Sequence, residues 1–164
     1  MSAARDRVLF VCTANQCRSP MAEYLYRHHF CTRGRRHCAS AGIIAAPGVP
    51  ASRNAVKAMK ELGIDLRGHR SMPVTADLLE RSGTVAVMTL VHRQLLVERF
   101  PDAAGRVVLL GAFDARGRCA ATDIEDPVGL SLDVYRTVRD QIAAALWGLD
   151  AWLDQAGPDA DRCR

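Results

Sequence analysis

A chain of 164 residues with 49% hydrophobic and 24% charged side chains has the size of one domain and enough apolar volume to fill a single core. Its formal charge of +4 would suit anionic partners, but much of the excess lies in Arg27, Arg33, Arg35 and Arg36 with Phe30 the single Phe, Tyr or Trp between them, so the cluster reads as a solvated turn and nucleic-acid binding is not expected. No apolar run approaches the roughly 20 residues of a membrane span, and residues 1–6 carry no apolar signal core, so the expected setting is the cytoplasm, with no membrane partner.

Residues 8–12, Val-Leu-Phe-Val-Cys, are a short apolar run rich in β-formers, which predicts a fully buried strand with Cys12 at its carboxyl end. The loop Thr13-Ala14-Asn15-Gln16-Cys17 follows, and Pro20 marks the first turn of a helix whose apolar spacing runs through Met21, Ala22, Leu25, Tyr26 and Phe30. So short a loop must turn its backbone N–H groups inward, and the helix start leaves its own first N–H groups unpaired. The concavity therefore attracts an anion, and phosphate is the natural guest. Cys12 lies at the mouth of this positive nest, where thiolate is favoured over thiol, and Arg18 offers a fork of donors that fits two phosphate oxygens. Ser19 is placed to donate a hydrogen bond to the Cys12 sulfur.

Further on, His28 and His29 read as helix-surface residues, residues 37–42 as a short strand ending in a glycine turn, and residues 43–50 as a loop holding Pro47, Gly48 and Pro50. An amphipathic helix is predicted over 52–62 with Val56, Met59, Lys60 and Leu62, capped by Gly63. The turn Gly68-His69-Arg70-Ser71 leads to a short helix near 75–81, a strand over 84–88, a helix over 91–100 and a strand over 106–110. Apolar strands without alternation, separated by helices, predict an α/β fold: a doubly wound, four-stranded parallel sheet with helices on both faces and a phosphate-binding loop after the first strand. The final helix, 132–153, puts Val134, Val138, Ile142, Leu146 and Leu149 on one face with Trp152 near its end; residues 155–164 read as a frayed tail of a single domain spanning 1–164.

Six cysteines, at 12, 17, 31, 38, 119 and 163, contain no Cys-x-x-Cys pair, and a domain of this size needs no staples, so neither a disulfide framework nor a metal site is expected and most of the thiols are expected to be reduced. The second chemical feature is the acidic loop Asp123-Ile124-Glu125-Asp126-Pro127-Val128-Gly129. A cysteine can attack phosphorus unaided, but expelling an alkoxide, phenolate or amine needs a proton. Asp126 is the candidate donor, with Asp123 and Glu125 as fallbacks.

Taken together, Cys12-x5-Arg18-Ser19 at a strand end, Asn15 within the loop, Pro20 after it and the distant Asp126-Pro127 resemble a low-molecular-weight protein-tyrosine phosphatase over residues 8–152. The bacterial branch of that family includes protein-arginine phosphatases. The resemblance implies a phosphoric monoester hydrolase that works through a Cys12 phosphoenzyme, with Arg18 and the loop amides stabilising the equatorial oxygens, Thr13, Ala14, Asn15, Gln16, Cys17 and Ser19 contacting substrate, and Asp126 serving first as acid and then as base. It implies no cofactor and no metal, phosphorylated proteins as substrates, inorganic phosphate as product and inhibitor, and a monomeric enzyme. It also implies a reversible Cys12–Cys17 disulfide that protects the thiolate from over-oxidation, beside which Cys17 as a small packed side chain remains the plainer reading. Ser40 reads either as a brace for Asn15 or as a simple turn serine.

This chain departs from the family pattern at Ala14, where glycine is usual, so Ala14 must either sit at negative φ or store strain. Phosphotyrosine is the family's common substrate, yet residues 43–50 contain no ring and Asp126-Pro127 is followed by Val128-Gly129 instead of rings. Residues 126–135 resemble the pattern of protein-arginine phosphatases, which usually carry Thr at the position of Gln16, where tyrosine-directed members carry an aliphatic residue; Gln16 is neither. Phosphotyrosine is therefore the leading expectation and phosphoarginine the alternative. Arsenate reductases share the loop but pass oxidising equivalents to a later cysteine pair, and residues 72–98 hold no cysteine. A phosphate-binding module without turnover is disfavoured by the joint presence of Cys12, Arg18 and Asp126.

Overall fold

The computed structural model describes residues 7–31, 36–113 and 123–155. Arg33, Arg35, Cys119, Cys163 and the tail beyond Gln155 lie outside them. In chain order the regular elements are β1 (Arg7–Cys12), α1 (Arg18–Phe30), β2 (His37–Gly42), α2 (Arg53–Lys60), α3 (Ala76–Glu80), β3 (Thr84–Val87), α4 (Leu90–Arg99), β4 (Val107–Leu109) and α5 (Leu132–Gln155). The four strands form one parallel sheet in the order β2-β1-β3-β4. Strand order reverses at β1, because the chain goes outward to β2 and then returns past β1 to β3. The crevice beyond the carboxyl ends of β1 and β3 is thus the place where an open α/β sheet binds its ligand.

Side-chain alternation along β1 explains why its sequence is apolar throughout. Val8, Phe10 and Cys12 enter a core shared with α1, α2 and α5, while Leu9 and Val11 enter a second core with Leu79 of α3 and Leu96 of α4. α5 contributes Val138, Ile142, Leu146 and Leu149 to the first core, as its period predicts, with Val134 only half-buried. At α2 the reading needs correction. Ser52 caps it by accepting from Ala55 N, the helix ends at Lys60, and Ala55, Ala58 and Met59 face the core, whereas Lys60 is exposed and Leu62 is 44% exposed. The left-handed Gly63 (φ +74°) turns the chain before Leu62 can complete the apolar face.

The basic cluster also differs from a solvated turn. Arg27 pairs with Glu23 one turn earlier, and Arg36, with its side chain only 16% exposed, pairs with Asp150 at 3.2 Å and with Asp154, tying the start of β2 to the end of α5. The Cys31 and Cys38 thiols meet at 3.7 Å across the junction between α1 and β2, and burial raises the pKa of both. His28 and His29 are exposed on α1. Among the described residues no helix is long and apolar enough to cross a membrane, and no group of three or more His, Cys, Asp or Glu side chains could hold a metal ion.

Candidate active site

Cys12 ends β1 opposite Gly42 of β2, and residues 13–17 bridge to α1, which begins at Arg18. Apart from that of Ala14, the carbonyls from Cys12 to Cys17 are committed: Cys12 O accepts from Ile43 N at 3.0 Å, Thr13 O from Ile44 N at 2.9 Å, Gln16 O from Ser52 N at 2.9 Å and Cys17 O from Met21 N at 3.2 Å. Asn15 O accepts from His69 Nε2 at 2.8 Å, so that ring carries its proton on Nε2. By contrast, no described residue accepts from the backbone N–H groups of residues 13–17. A loop whose carbonyls are tied outward and whose amides are unclaimed is an anion nest.

Asn15 is the one non-glycine among the described residues with positive φ, at +56°. The left-handed position is therefore Asn15 and not Ala14, so the alanine in place of the usual glycine sits at negative φ without strain. Asparagine tolerates that conformation and uses it fully: Nδ2 donates to Ser19 Oγ and to Ser40 Oγ, both at 2.9 Å, and Oδ1 accepts from Met72 N at 2.9 Å. Ser40 is thus a brace and more than a turn residue, and its own hydroxyl donates to the buried carboxylate of Glu23 at 2.5 Å. Because the Ser19 oxygen already accepts from Asn15, its single hydrogen is free for the Cys12 sulfur 3.0 Å away, with Ala41 O at 3.3 Å as the other acceptor in reach.

Arg18 is buried, its side chain 4% exposed. Nη1 donates to Ile124 O at 3.0 Å and Nη2 to Asp126 Oδ2 at 2.8 Å, while Nε is buried with no acceptor. That orphaned donor and the unclaimed amides are groups that a bound oxyanion would satisfy. Asp126 is 46% exposed at the rim, and its Oδ1 accepts from Val128 N at 3.2 Å. Asp123 Oδ1 accepts from Leu90 N at 2.8 Å, so one of the two fallback acids is occupied in fastening the acidic loop to the start of α4.

Cys17 faces away from solvent. Its sulfur lies 3.3 Å from Tyr135 Oη and 3.4 Å from Ser52 Oγ, and burial pushes its pKa up, so it is held as a thiol. His92 belongs to no motif legible in the sequence. This ring is buried on α4, bonds Thr13 Oγ1 through Nε2 at 2.8 Å, and is kept neutral by burial and by the Arg18 charge, which bring its pKa down to about 4. The one local signal was Thr89, three residues before it, whose side chain caps α4 by accepting from His92 N.

The family model described as low molecular weight phosphotyrosine protein phosphatase matches residues 7–158. The chain belongs to this family. A protein-arginine-phosphatase of Geobacillus stearothermophilus is 38% identical over 83% of this chain and 88% of its own length. A probable low molecular weight protein-tyrosine-phosphatase, EpsP, of Ralstonia nicotianae is 34% identical over 89% of this chain and 92% of its own. Among solved structures, the YwlE arginine phosphatase from Geobacillus stearothermophilus superposes with a TM-score of 0.82 at 36% identity, covering 91% of this chain and 93% of that one. The low molecular weight phosphatase family thus accounts for the whole described sheet and for the loop after β1.

Proposed function

We propose that the protein is a cysteine-dependent protein phosphatase in which Cys12 takes the phosphoryl group and water then releases it as inorganic phosphate. The observations that support this most lie within residues 12–19: unclaimed amides at 13–17, an orphaned Arg18 Nε–H and a Ser19 hydroxyl 3.0 Å from the Cys12 sulfur. Cys12 Sγ attacks phosphorus; the loop amides and Arg18 hold the equatorial oxygens, where charge grows in the transition state. Phosphoryl oxygens engaging the guanidinium relieve Asp126 of its partner; the freed carboxylate takes up a proton from solvent, delivers it to the departing oxygen or nitrogen, and as carboxylate again accepts the proton of the attacking water. Ser19 steadies the sulfur as leaving group in the second step. Cys17 is the resolving thiol of a protective disulfide with Cys12. The enzyme acts as a cytoplasmic monomer on phosphorylated proteins, with inorganic phosphate as product and competitive inhibitor.

Phosphotyrosine is the substrate class that the family description carries. Phosphoarginine is the second reading, favoured by the arginine-phosphatase relative; residues 43–50 and 123–131, the two loops that border the site, contain no ring. An aromatic wall adds on the order of 1 kcal/mol to the holding of a phenyl ring. Its absence removes an advantage of phosphotyrosine, and a guanidine plane loses a stacking partner as well, so the rings alone do not choose between the two substrates. Initial rates on phosphotyrosine, phosphoarginine and arsenate, side by side with Cys12→Ser as control, test the proposal. The control is expected to bind phosphate but not turn over, and turnover at the wild-type rate without the thiol would overturn the mechanism.

A further inference from the structure

Thr13 follows the nucleophile directly, is exposed, and touches one ring that no catalytic step above uses. His92 is 4% exposed, and its Nε2 lies 2.8 Å from Thr13 Oγ1. Its other nitrogen, Nδ1, is buried with no hydrogen-bond partner. That orphan fixes the proton. Were the hydrogen on Nδ1, a buried N–H would have no acceptor, the rarer and costlier defect; on Nε2 it leaves only a bare lone pair inside. Double protonation is opposed by burial and by the nearby Arg18. The ring is therefore the donor and Thr13 Oγ1 the acceptor, which leaves the threonine's own hydroxyl hydrogen uncommitted.

The surroundings hold the ring in place from two sides. Thr89 caps α4 at the His92 amide, 3.1 Å away, and Asp123 fastens the acidic loop to Leu90 N, so α4, the acidic loop and the first loop residue meet around the imidazole. Thr13 O is held by Ile44 N, which leaves the hydroxyl rotor as the freedom that the ring removes. We infer that His92 is a positioning residue: by donating to Thr13 Oγ1 it aims the Thr13 hydroxyl hydrogen into the site as an additional donor to a phosphoryl oxygen of substrate or product.

This inference rests on the proposed phosphate site, so its test includes a measurement that does not require turnover: the dissociation constant of inorganic phosphate, determined by calorimetry, alongside kcat and KM. Thr13→Val is expected to weaken phosphate binding roughly ten- to a hundred-fold, the usual cost of removing one hydrogen bond to a charged group, whereas Thr13→Ser retains affinity. His92→Leu should lose several-fold in phosphate affinity. His92→Gln should restore it because its amide nitrogen reaches the position of Nε2, and His92→Asn, whose nitrogen matches Nδ1, should not. The double variant Thr13→Val with His92→Leu should bind phosphate no worse than Thr13→Val alone. Additive losses in the double variant, or a lowered melting temperature in His92→Leu with unchanged phosphate affinity and KM, would overturn the assignment and leave His92 a packing residue. If wild type binds phosphate in this pattern but hydrolyses none of the phosphorylated substrates, the proposed function fails while the positioning role stands.

Discussion

Replacing Gly42 by alanine tests how tightly the second strand holds the loop. A Cβ at Gly42 would lie 2.7 Å from Thr13 O, 2.8 Å from Ala45 Cβ and 2.9 Å from Ala14 C, where ordinary contact begins near 3.4 Å. Neither wall can retreat freely. Thr13 O is tied to Ile44 N at 2.9 Å, while Gly42 donates to Met72 O and accepts from Val74 N, both at 2.9 Å. Restoring contact therefore requires about 0.5–0.7 Å of movement. Overpacking of this kind costs about 1–3 kcal/mol, which in a domain of this size lowers Tm by roughly 3–10 °C. The displaced atoms belong to the residues that follow Cys12, so phosphate affinity should fall at least ten-fold, since misplacement by 1 Å costs on the order of a hundred-fold in rate. Thermal melts and competitive inhibition by phosphate measure the two effects, with Gly105→Ala, where nothing lies within 4 Å, as control. If Gly42→Ala matched that control in both assays, the close approach would not constrain the loop.

Other perturbations separate the roles. Asp126→Asn should lower rates by roughly 10²–10⁴ on substrates with basic leaving groups and far less on aryl phosphates whose phenolates leave unaided; an unchanged dependence on leaving-group pKa would move the acid to Glu125 or Asp123. Mild peroxide should inactivate wild type reversibly through a Cys12–Cys17 disulfide, and Cys17→Ser should make the loss irreversible, read as activity recovered after thiol treatment. His92 has a folded pKa of about 4 against an ordinary value of 6.5, so the unfolded chain takes up a proton in that interval that the folded protein does not. Stability should fall as the pH drops from about 6.5 toward 4, by at most about 3 kcal/mol, and denaturant titrations of His92→Gln should show a shallower fall.

What the sequence made legible was what depends on neighbours along the chain. Val8 to Cys12, apolar without alternation, announced a strand buried on both faces, and Cys12 to Ser19 placed the proposed nucleophile, its proposed clamp and the sulfur-bonding hydroxyl within eight residues. The distant members were legible only where a motif marked them, as Asp126-Pro127 did. His92 carried no mark, because its partner Thr13 lies 79 positions away and a histidine on a helix is ordinary. Glu23 looked like any charge on α1, and its burial against Ser40 depends on how β2 docks. Arg36 misled for the opposite reason: its sequence neighbours are basic, but its partners Asp150 and Asp154 arrive from the far end of the chain. Even the conformation of Ala14 was a question about its neighbour, since the left-handed position belongs to Asn15.

The Arg18–Asp126 pair has one more implication, for which anions can enter at all. With the guanidinium already facing a carboxylate, the resting site is close to charge balance around its strongest cation, and an arriving anion must outbid Asp126. Acetate offers Arg18 the same group at the same charge and wins nothing by the exchange. Chloride has no geometry to match the fork. A phosphate dianion brings a second charge and enough oxygens to engage Nε and the loop amides at once, donors that Asp126 leaves unused. In the proposed mechanism the ion pair would set a threshold that acetate and chloride do not pass, and a phosphate dianion that passes it would free, in the same event, the carboxyl group assigned to the proton transfer.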